Sequence, residues 1–250
     1  MLITPHAIRH SMQQAAVLRD FRASLIGQLI PPGDPDYEGA RKLWNGMIDR
    51  YPALIVRCAN QADIVSAVRF ARESDLRLAV RSGGHNSAGN ATVDGGLVID
   101  LSRMKGIQVD PARRTARIES GVTLGEFVQA IEAHGLLTTT GTVSGTGMAG
   151  LTLGGGLGWL MGKYGLTIDN LLSVEIVTAD GQTLTASATE HPELFWGVCG
   201  GGGNFGIVAT FEYQLHPAEP VLAGLVVHPF ERAREVLRFY RDYSRAAPDE

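Results

Sequence analysis

Leu76-Arg77-Leu78-Ala79-Val80-Arg81-Ser82-Gly83-Gly84-His85-Asn86-Ser87 is a short apolar run that passes directly into a loop carrying two glycines and one imidazole. Leu76 to Val80 reads as a strand, and upstream Leu54-Ile55-Val56 reads as another. Between them Asn60 is a plausible N-cap with Asp63 in the first turn, and Ile64, Ala67, Val68 and Ala71 recur at helical spacing. Strand, helix and strand place Arg81 to Ser87 at the carboxyl end of the second strand, where α/β units bind ligands. Gly83 and Gly84 strip side chains from the approach to His85, so a flat ligand can come close.

Outward from this unit the chain is mixed. Leu97 to Leu101 and Thr115 to Ile118 read as strands, Thr123-Leu124-Gly125-Glu126 as a capping box opening a helix that Gly135 closes. Val174 to Val177, the turn Ala179-Asp180-Gly181 and Leu184 to Ala186 suggest a hairpin, followed by a helix at His191 to Val198 and a strand at Ile207 to Leu215. On the amino-terminal side, Ile8 to Ile30 is compatible with a helical arm broken by Pro31-Pro32-Gly33-Asp34-Pro35. At the other end a strand at Val221 to Val227 and a helix near Glu231 to Ser244 are predicted, with Tyr240 and Tyr243 read as core. This divides the chain into an arm and linker over 1–46, a main domain over 47–217, and a tail over 218–250 that either docks on the main domain or starts another. About 30 residues cannot bury a core alone.

Composition narrows the classes. The 250 residues carry a formal net charge of −4 and no run of Lys or Arg suited to tracking phosphates, so nucleic acid is not an expected partner. Neither a secretion signal nor an apolar stretch of the ~18 residues a span needs is present, which points to the cytoplasm and away from membranes. Cys58 and Cys199 match no zinc pattern and read as free thiols. The 31 glycines are the strongest deviation: ten lie between Gly141 and Gly165, and another group runs from Gly197 to Gly206. Such density means backbone pressed against a ligand or against other backbone.

Gly145-Thr146-Gly147-Met148-Ala149-Gly150 satisfies G-x-G-x-x-G, and Asp169 lies nineteen residues past Gly150. That fingerprint must follow a buried strand and open a long helix, whereas Leu153-Gly154-Gly155-Gly156-Leu157-Gly158 follows here and breaks any helix. A nicotinamide-type fold is therefore not expected, nor a P-loop, since Gly-Lys-Ser and Gly-Lys-Thr are absent. Without a helix, successive backbone N–H groups can still form anion-binding nests. Three Gly-rich loops, at 81–89, 141–158 and 200–206, suggest one extended, dinucleotide-sized ligand clasped from several sides. Tight turns alone, or another phosphate ligand, are the competing readings.

Five segments in one order carry a family resemblance: Arg81-Ser82-Gly83-Gly84-His85-Asn86; Gly141-Thr142; Thr152-Leu153-Gly154-Gly155-Gly156-Leu157-Gly158; Lys163-Tyr164-Gly165-Leu166 with Asp169-Asn170; and Glu193-Leu194-Phe195-Trp196 followed by Gly200 to Gly206. Over roughly Tyr51 to Pro217 the chain resembles the FAD-linked oxidases of the berberine bridge enzyme-like and 6-hydroxy-D-nicotine oxidase-like group, within the vanillyl-alcohol oxidase superfamily. The resemblance implies an α+β chain: a PCMH-type FAD-binding domain of two α/β subdomains, then the first strand and helix of an incomplete substrate-binding domain.

It also implies FAD bonded through its 8α-methyl to His85. The cofactor contacts it implies are Arg81, Ser82, Gly83, Gly84, Asn86 and Ser87; Gly141, Thr142, Gly145, Thr146, Gly150 and Thr152; Gly154, Gly155, Gly156 and Gly158; Tyr164, Gly165, Leu166, Asp169 and Asn170; and Gly203, Asn204, Gly206, Ile207 and Val208. Some relatives add a cysteine bond in a G-x-C motif, but Val143 stands there, so a single link is implied; Cys199 is read as a buried or semi-exposed thiol rather than a second flavin link. Trp159 packs on the flavin or in the core, and the remaining histidines, His6, His10, His134, His191, His216 and His228, are structural. The implied reaction is hydride transfer from a small-molecule C–H (sugar, alcohol, amine or alkaloid) to the flavin, with O2 as acceptor. No catalytic base is assigned, because in such enzymes it comes from a later region, and no metal is called for. A chain that binds FAD without turnover, or that is completed by a separate partner chain, fits the same residues.

Overall fold

The computed structural model describes residues 15–248. The part of the amino-terminal helix predicted before residue 15, with His6 and His10, lies outside the described residues. Helix α1 runs through residues 15–23 and docks by Phe21, whose ring stacks on Phe70 at 3.8 Å. The predicted helix does not continue to Ile30: Gln28–Ile30 is strand β1. Asp63 is the reason, since its buried carboxylate accepts the Ile26 and Gly27 N–H groups at 2.8 and 2.9 Å, and the Ala59 N–H at 2.8 Å. Those bonds turn the chain and lay β1 on the edge of a sheet.

Helix α2 (Tyr37–Ala40) leads to β2 (Leu54–Arg57), α3 (Gln61–Glu73), β3 (Leu78–Arg81) and β4 (Leu97–Asp100). Asn60 caps α3 as expected, accepting the Asp63 N–H at 3.1 Å. The first sheet has the order β1-β2-β4-β3, with β2 and β3 both parallel to β4. Leu54, Val56, Leu97 and Ile99 bury against α3, while Ile55, Ala79 and Val98 bury on the opposite face with Tyr37 and Ala40. Burial on both faces is what an unbroken apolar run means in a parallel sheet.

Strands β5 (Ile107–Asp110) and β6 (Thr115–Glu119), helix α4 (Leu124–Glu132), the short β7 (Leu136–Leu137), α5 (Met148–Leu153), α6 (Met161–Tyr164), β8 (Leu171–Val177), β9 (Thr183–Ser187), α7 (Pro192–Gly201) and β10 (Ile207–Gln214) follow. They build a second, antiparallel sheet, β5-β6-β10-β8-β9, and a two-residue strand β11 (His216–Pro217) pairs with β7. The Thr123 N–H and hydroxyl both donate to Glu126 at 2.8 Å, and Gly135 closes α4 at φ +66°. Phe127, Ile131, Phe211 and Tyr213 centre the core of this sheet. Val177, Ile207 and Ala209 of the second sheet join the α3 side of the first, locking the two units together.

Residues 218–229 form no strand, contrary to the expectation for Val221 to Val227: a β-branched run needs a neighbour to hydrogen-bond, and none lies beside it. Helix α8 (Ala233–Ala246) forms, but Tyr240 and Tyr243 are 66% and 61% exposed rather than core. Among the described residues no helix is long and apolar enough to cross a membrane.

Candidate functional site

Adjacent parallel strands cannot be joined by a hairpin, so β3 returns to the start of β4 through a long crossover over residues 82–96. His85 lies on this crossover at the carboxyl end of β3. Arg81 anchors its start: the guanidinium donates to Asp100 at 2.6 and 3.4 Å, and to the Ala40 and Lys42 carbonyls. The Ser82 hydroxyl donates to the Ser120 carbonyl at 2.6 Å. Gly83 and Gly147 face each other backbone to backbone, and a Cβ on Gly147 would lie 2.5 Å from the Gly83 nitrogen. The missing side chain at Gly83 thus serves loop-on-loop packing, at a position that also lines the cleft. Gly84 takes φ +69°, a left-handed turn that glycine favours.

Across residues 82–88 the backbone N–H groups have no acceptor among the described residues. Residues 82–85 are buried or half-buried and line the cleft, whereas 86–88 are exposed. Buried donors in a native fold are normally satisfied, so unpartnered N–H groups at the cleft edge fit an acceptor-rich ligand. His85 is half-buried, its ring stacked on Trp44 with centroids 5.4 Å apart and planes 19° from parallel.

A cleft of about 1160 Å³ opens from this loop between the two sheets. Its polar edge is Ser82, Gly83, Gly84, His85 and Asn86, facing Thr146, Gly147 and Gly150 of the second glycine loop. Gly200 to Gly206 close a third side, continuing into Ile207 and Val208; Gly154 lies at the rim with Gly203 and Asn204. Val68, Leu76, Leu78 and Val80 supply an apolar wall, and Arg72 a cation that sequence reasoning missed. Ordinary small-molecule sites span roughly 300–1,000 Å³. The greater volume, the unpartnered N–H groups and the mixed wall fit a dinucleotide with phosphates and a flat ring.

Other predicted contacts stand elsewhere. Arg81 and Gly145 line a smaller pocket of about 240 Å³ that shares Ser82, Gly83 and Gly84 with the cleft, and a Cβ on Gly145 would lie 4.0 Å from His85 Nε2. Ser87 offers its carbonyl to Asn45, and Gly141 packs on Leu151 and Leu124. Thr142 does not line the cleft, and Val143 is exposed. Thr152 is core, its hydroxyl 2.8 Å from that of Tyr213. Gly155 and Gly156 accept from Ile168 and Thr167, and Gly158 lies against the Thr140 carbonyl.

The segment from Tyr164 to Asn170 is an internal knot. Asp169 accepts the Leu166 N–H at 2.7 Å over Gly165, and Asn170 donates to the Tyr164 and Leu166 carbonyls. Tyr164 stacks on His216, whose Nε2 lies 2.7 Å from Asn170 Oδ1. Burial, then the Arg114 charge, pushes His216 below the ordinary histidine range. Trp159 is 86% exposed, belonging to neither cleft nor core. Cys199 is half-buried and outside the cleft, its thiol pushed up by burial and by Asp169, which opposes thiolate chemistry. The G-x-G-x-x-G run opens only the six-residue α5, which stops at Gly154, and follows a loop.

A two-sheet α+β unit with three glycine loops around a dinucleotide-sized cleft defines a cofactor-binding domain, of a class distinct from nicotinamide folds. Residues 52–187 match the FAD binding domain model, and the chain belongs to that family. It is 43% identical over 204 residues to (R)-6-hydroxynicotine oxidase of Paenarthrobacter nicotinovorans, covering 81% of this chain and 44% of that protein. The FAD-linked oxidoreductase YgaK of Bacillus subtilis (strain 168) is 36% identical, covering 91% and 52%. The crystal structure of 6-hydroxy-D-nicotine oxidase from Arthrobacter nicotinovorans superposes with a TM-score of 0.76 at 43% identity, over 78% of this chain and 43% of that one. Glucooligosaccharide oxidase from Acremonium strictum, described with a 6-S-cysteinyl, 8α-N1-histidyl FAD, superposes at 0.75 and 29% identity, over 80% and 42%. The chain spans about half the length of the curated relatives it matches. Its kin are FAD-linked oxidases, berberine bridge enzyme-like proteins among them, and its cofactor is FAD.

Proposed function

We propose that this chain is the flavin-holding part of an FAD-dependent oxidase and that His85 is its single covalent tether. The observation that carries the reading is the placement of His85 within a run of unpartnered N–H groups on the large cleft. When bound, FAD would supply two-electron oxidation of a substrate C–H bond, with O2 as final acceptor. The chain's own residues hold and orient. Backbone N–H groups of 82–86 are the donors for phosphate oxygens, and the glycines of 200–206 let backbone approach closely. Val143, standing where some relatives carry cysteine, supports one link rather than two. The substrate is a small molecule; sugar, alcohol, amine and alkaloid classes all remain in the reading. In it residues 47–217 hold the cofactor, residues 1–46 are an arm and linker of which the described part braces them, and 218–250 begin a substrate-binding part.

A second reading, FAD binding without turnover, draws on the exposed segment 218–248 and on the length relative to the matched oxidases. Acid precipitation of the FAD-supplied protein tests the tether. A yellow pellet, an FAD-sized mass on the His85 peptide and loss of both in His85→Ala are expected; covalent flavin retained by His85→Ala would overturn it. Peroxide formation across those substrate classes separates turnover from binding alone.

A further inference from the structure

The segment from Leu43 to Arg50 reaches across the chain to grip the crossover that carries His85. The Trp44 N–H donates to the Gly84 carbonyl at 3.2 Å, and the Asn45 amide donates to the Ser87 carbonyl at 2.9 Å. Arg50 donates to the Gly89 and Thr92 carbonyls at 3.0 and 2.8 Å. Trp44 also stacks on the imidazole, and it lines the small pocket whereas His85 lines the large cleft. The indole therefore holds the imidazole without itself lining the cleft. At 68% exposure Trp44 contributes little to the core, so its aromatic contact is not explained by packing.

We propose that Trp44 is a positioning residue for covalent flavin attachment, presenting the His85 ring to the cleft. This rests on the reading of His85 as the tether. In the net reaction one bond forms, from an imidazole nitrogen to the flavin methyl carbon. The N–H and one methyl C–H bond break, and O2 takes up the two hydrogens with their electrons as hydrogen peroxide. A ring free to rotate away from the cleft would make that bond more slowly; the stack restrains it.

The test is the rate of covalent FAD incorporation into the 250-residue chain produced under riboflavin limitation and then given FAD and O2. It is read by mass and by acid-stable flavin, alongside non-covalent FAD affinity. Trp44→Ala is expected to bind FAD but attach it about two- to tenfold more slowly, the scale of an aromatic pair. Trp44→Phe is expected to restore most of the rate and Trp44→Leu, of similar bulk without a ring, is not. A wild-type rate in Trp44→Ala, or equal rescue by Leu and Phe, would overturn the positioning role while leaving the tether standing. Absence of covalent flavin in the wild type, or its persistence in His85→Ala, would overturn both.

Discussion

At the scale of single residues, the glycines divide by what surrounds them. Gly83 and Gly147 allow two loops to cross at backbone distance, and a methyl on either runs into the other's main chain. Gly150, in α5, has nothing within 4 Å of where a Cβ would stand. Gly83→Ala is therefore expected to cost about 1–3 kcal/mol of stability through overpacking that cannot relax. Gly150→Ala is expected to leave the FAD-free chain as stable or better by about 0.5–1 kcal/mol, since alanine suits a helix. Chemical denaturation of the two variants beside the parent checks the contrast. Sequence alone marked both as ligand contacts, because a glycine's spelling is the same whether a cofactor or another backbone lies against it.

At the scale of elements, one carboxylate ties three strand ends. Asp100, fully buried at the end of β4, accepts from Arg57 at the end of β2 at 3.1 Å, from Arg81 of β3 at 2.6 Å, and from the Ser102 N–H at 3.0 Å. Burial by itself would raise this carboxyl, but the Arg81 charge and hydrogen bonds hold it below the ordinary range. A depressed carboxyl contributes stability that is present above its unfolded value of about 3.9 and lost as pH falls through the lower folded value. Asp100→Asn, leaving Arg81 without its carboxylate and Arg57 with only the longer carboxylate contact to Asp36 at 3.5 Å, is expected to cost about 3–5 kcal/mol near neutral pH. The gap from the parent should close as both are titrated below pH ~4, followed by urea denaturation.

The strands that meet at Asp100 were legible because apolar runs, a cap and a capping box agree locally. Strand β1 was not, because its three residues are turned into the sheet by Asp63, far along the chain. Trp44 was invisible as a site residue for the same reason: its partner lies 41 positions away, beyond any local pattern. Val221 to Val227 failed in the opposite direction, with strand-forming side chains and no strand to join.

At the scale of the whole molecule, the two sheets share a core through Val177, Ile207 and Ala209, and the cleft is the seam beside it. The segment after Pro217 stands outside that arrangement. Among the described residues its hydrogen-bond and ion-pair ties to the rest are the Ala218 N–H on the Gly135 carbonyl at 2.8 Å and the Lys163–Glu219 pair at 2.6 Å. Leu222, Leu225, Val227 and Phe230 are largely exposed. An exposed ion pair is worth about 0–1 kcal/mol, so little holds this stretch to the body. Limited proteolysis is expected to cut first between residues 220 and 230, where exposed backbone lacks secondary structure. The remaining body should keep its FAD, because every wall of the cleft precedes residue 209. A thermal shift with FAD of the same size before and after the cut is the expected readout. Loss of the FAD shift on cleavage would mean that the tail supports the cleft through contacts other than these two.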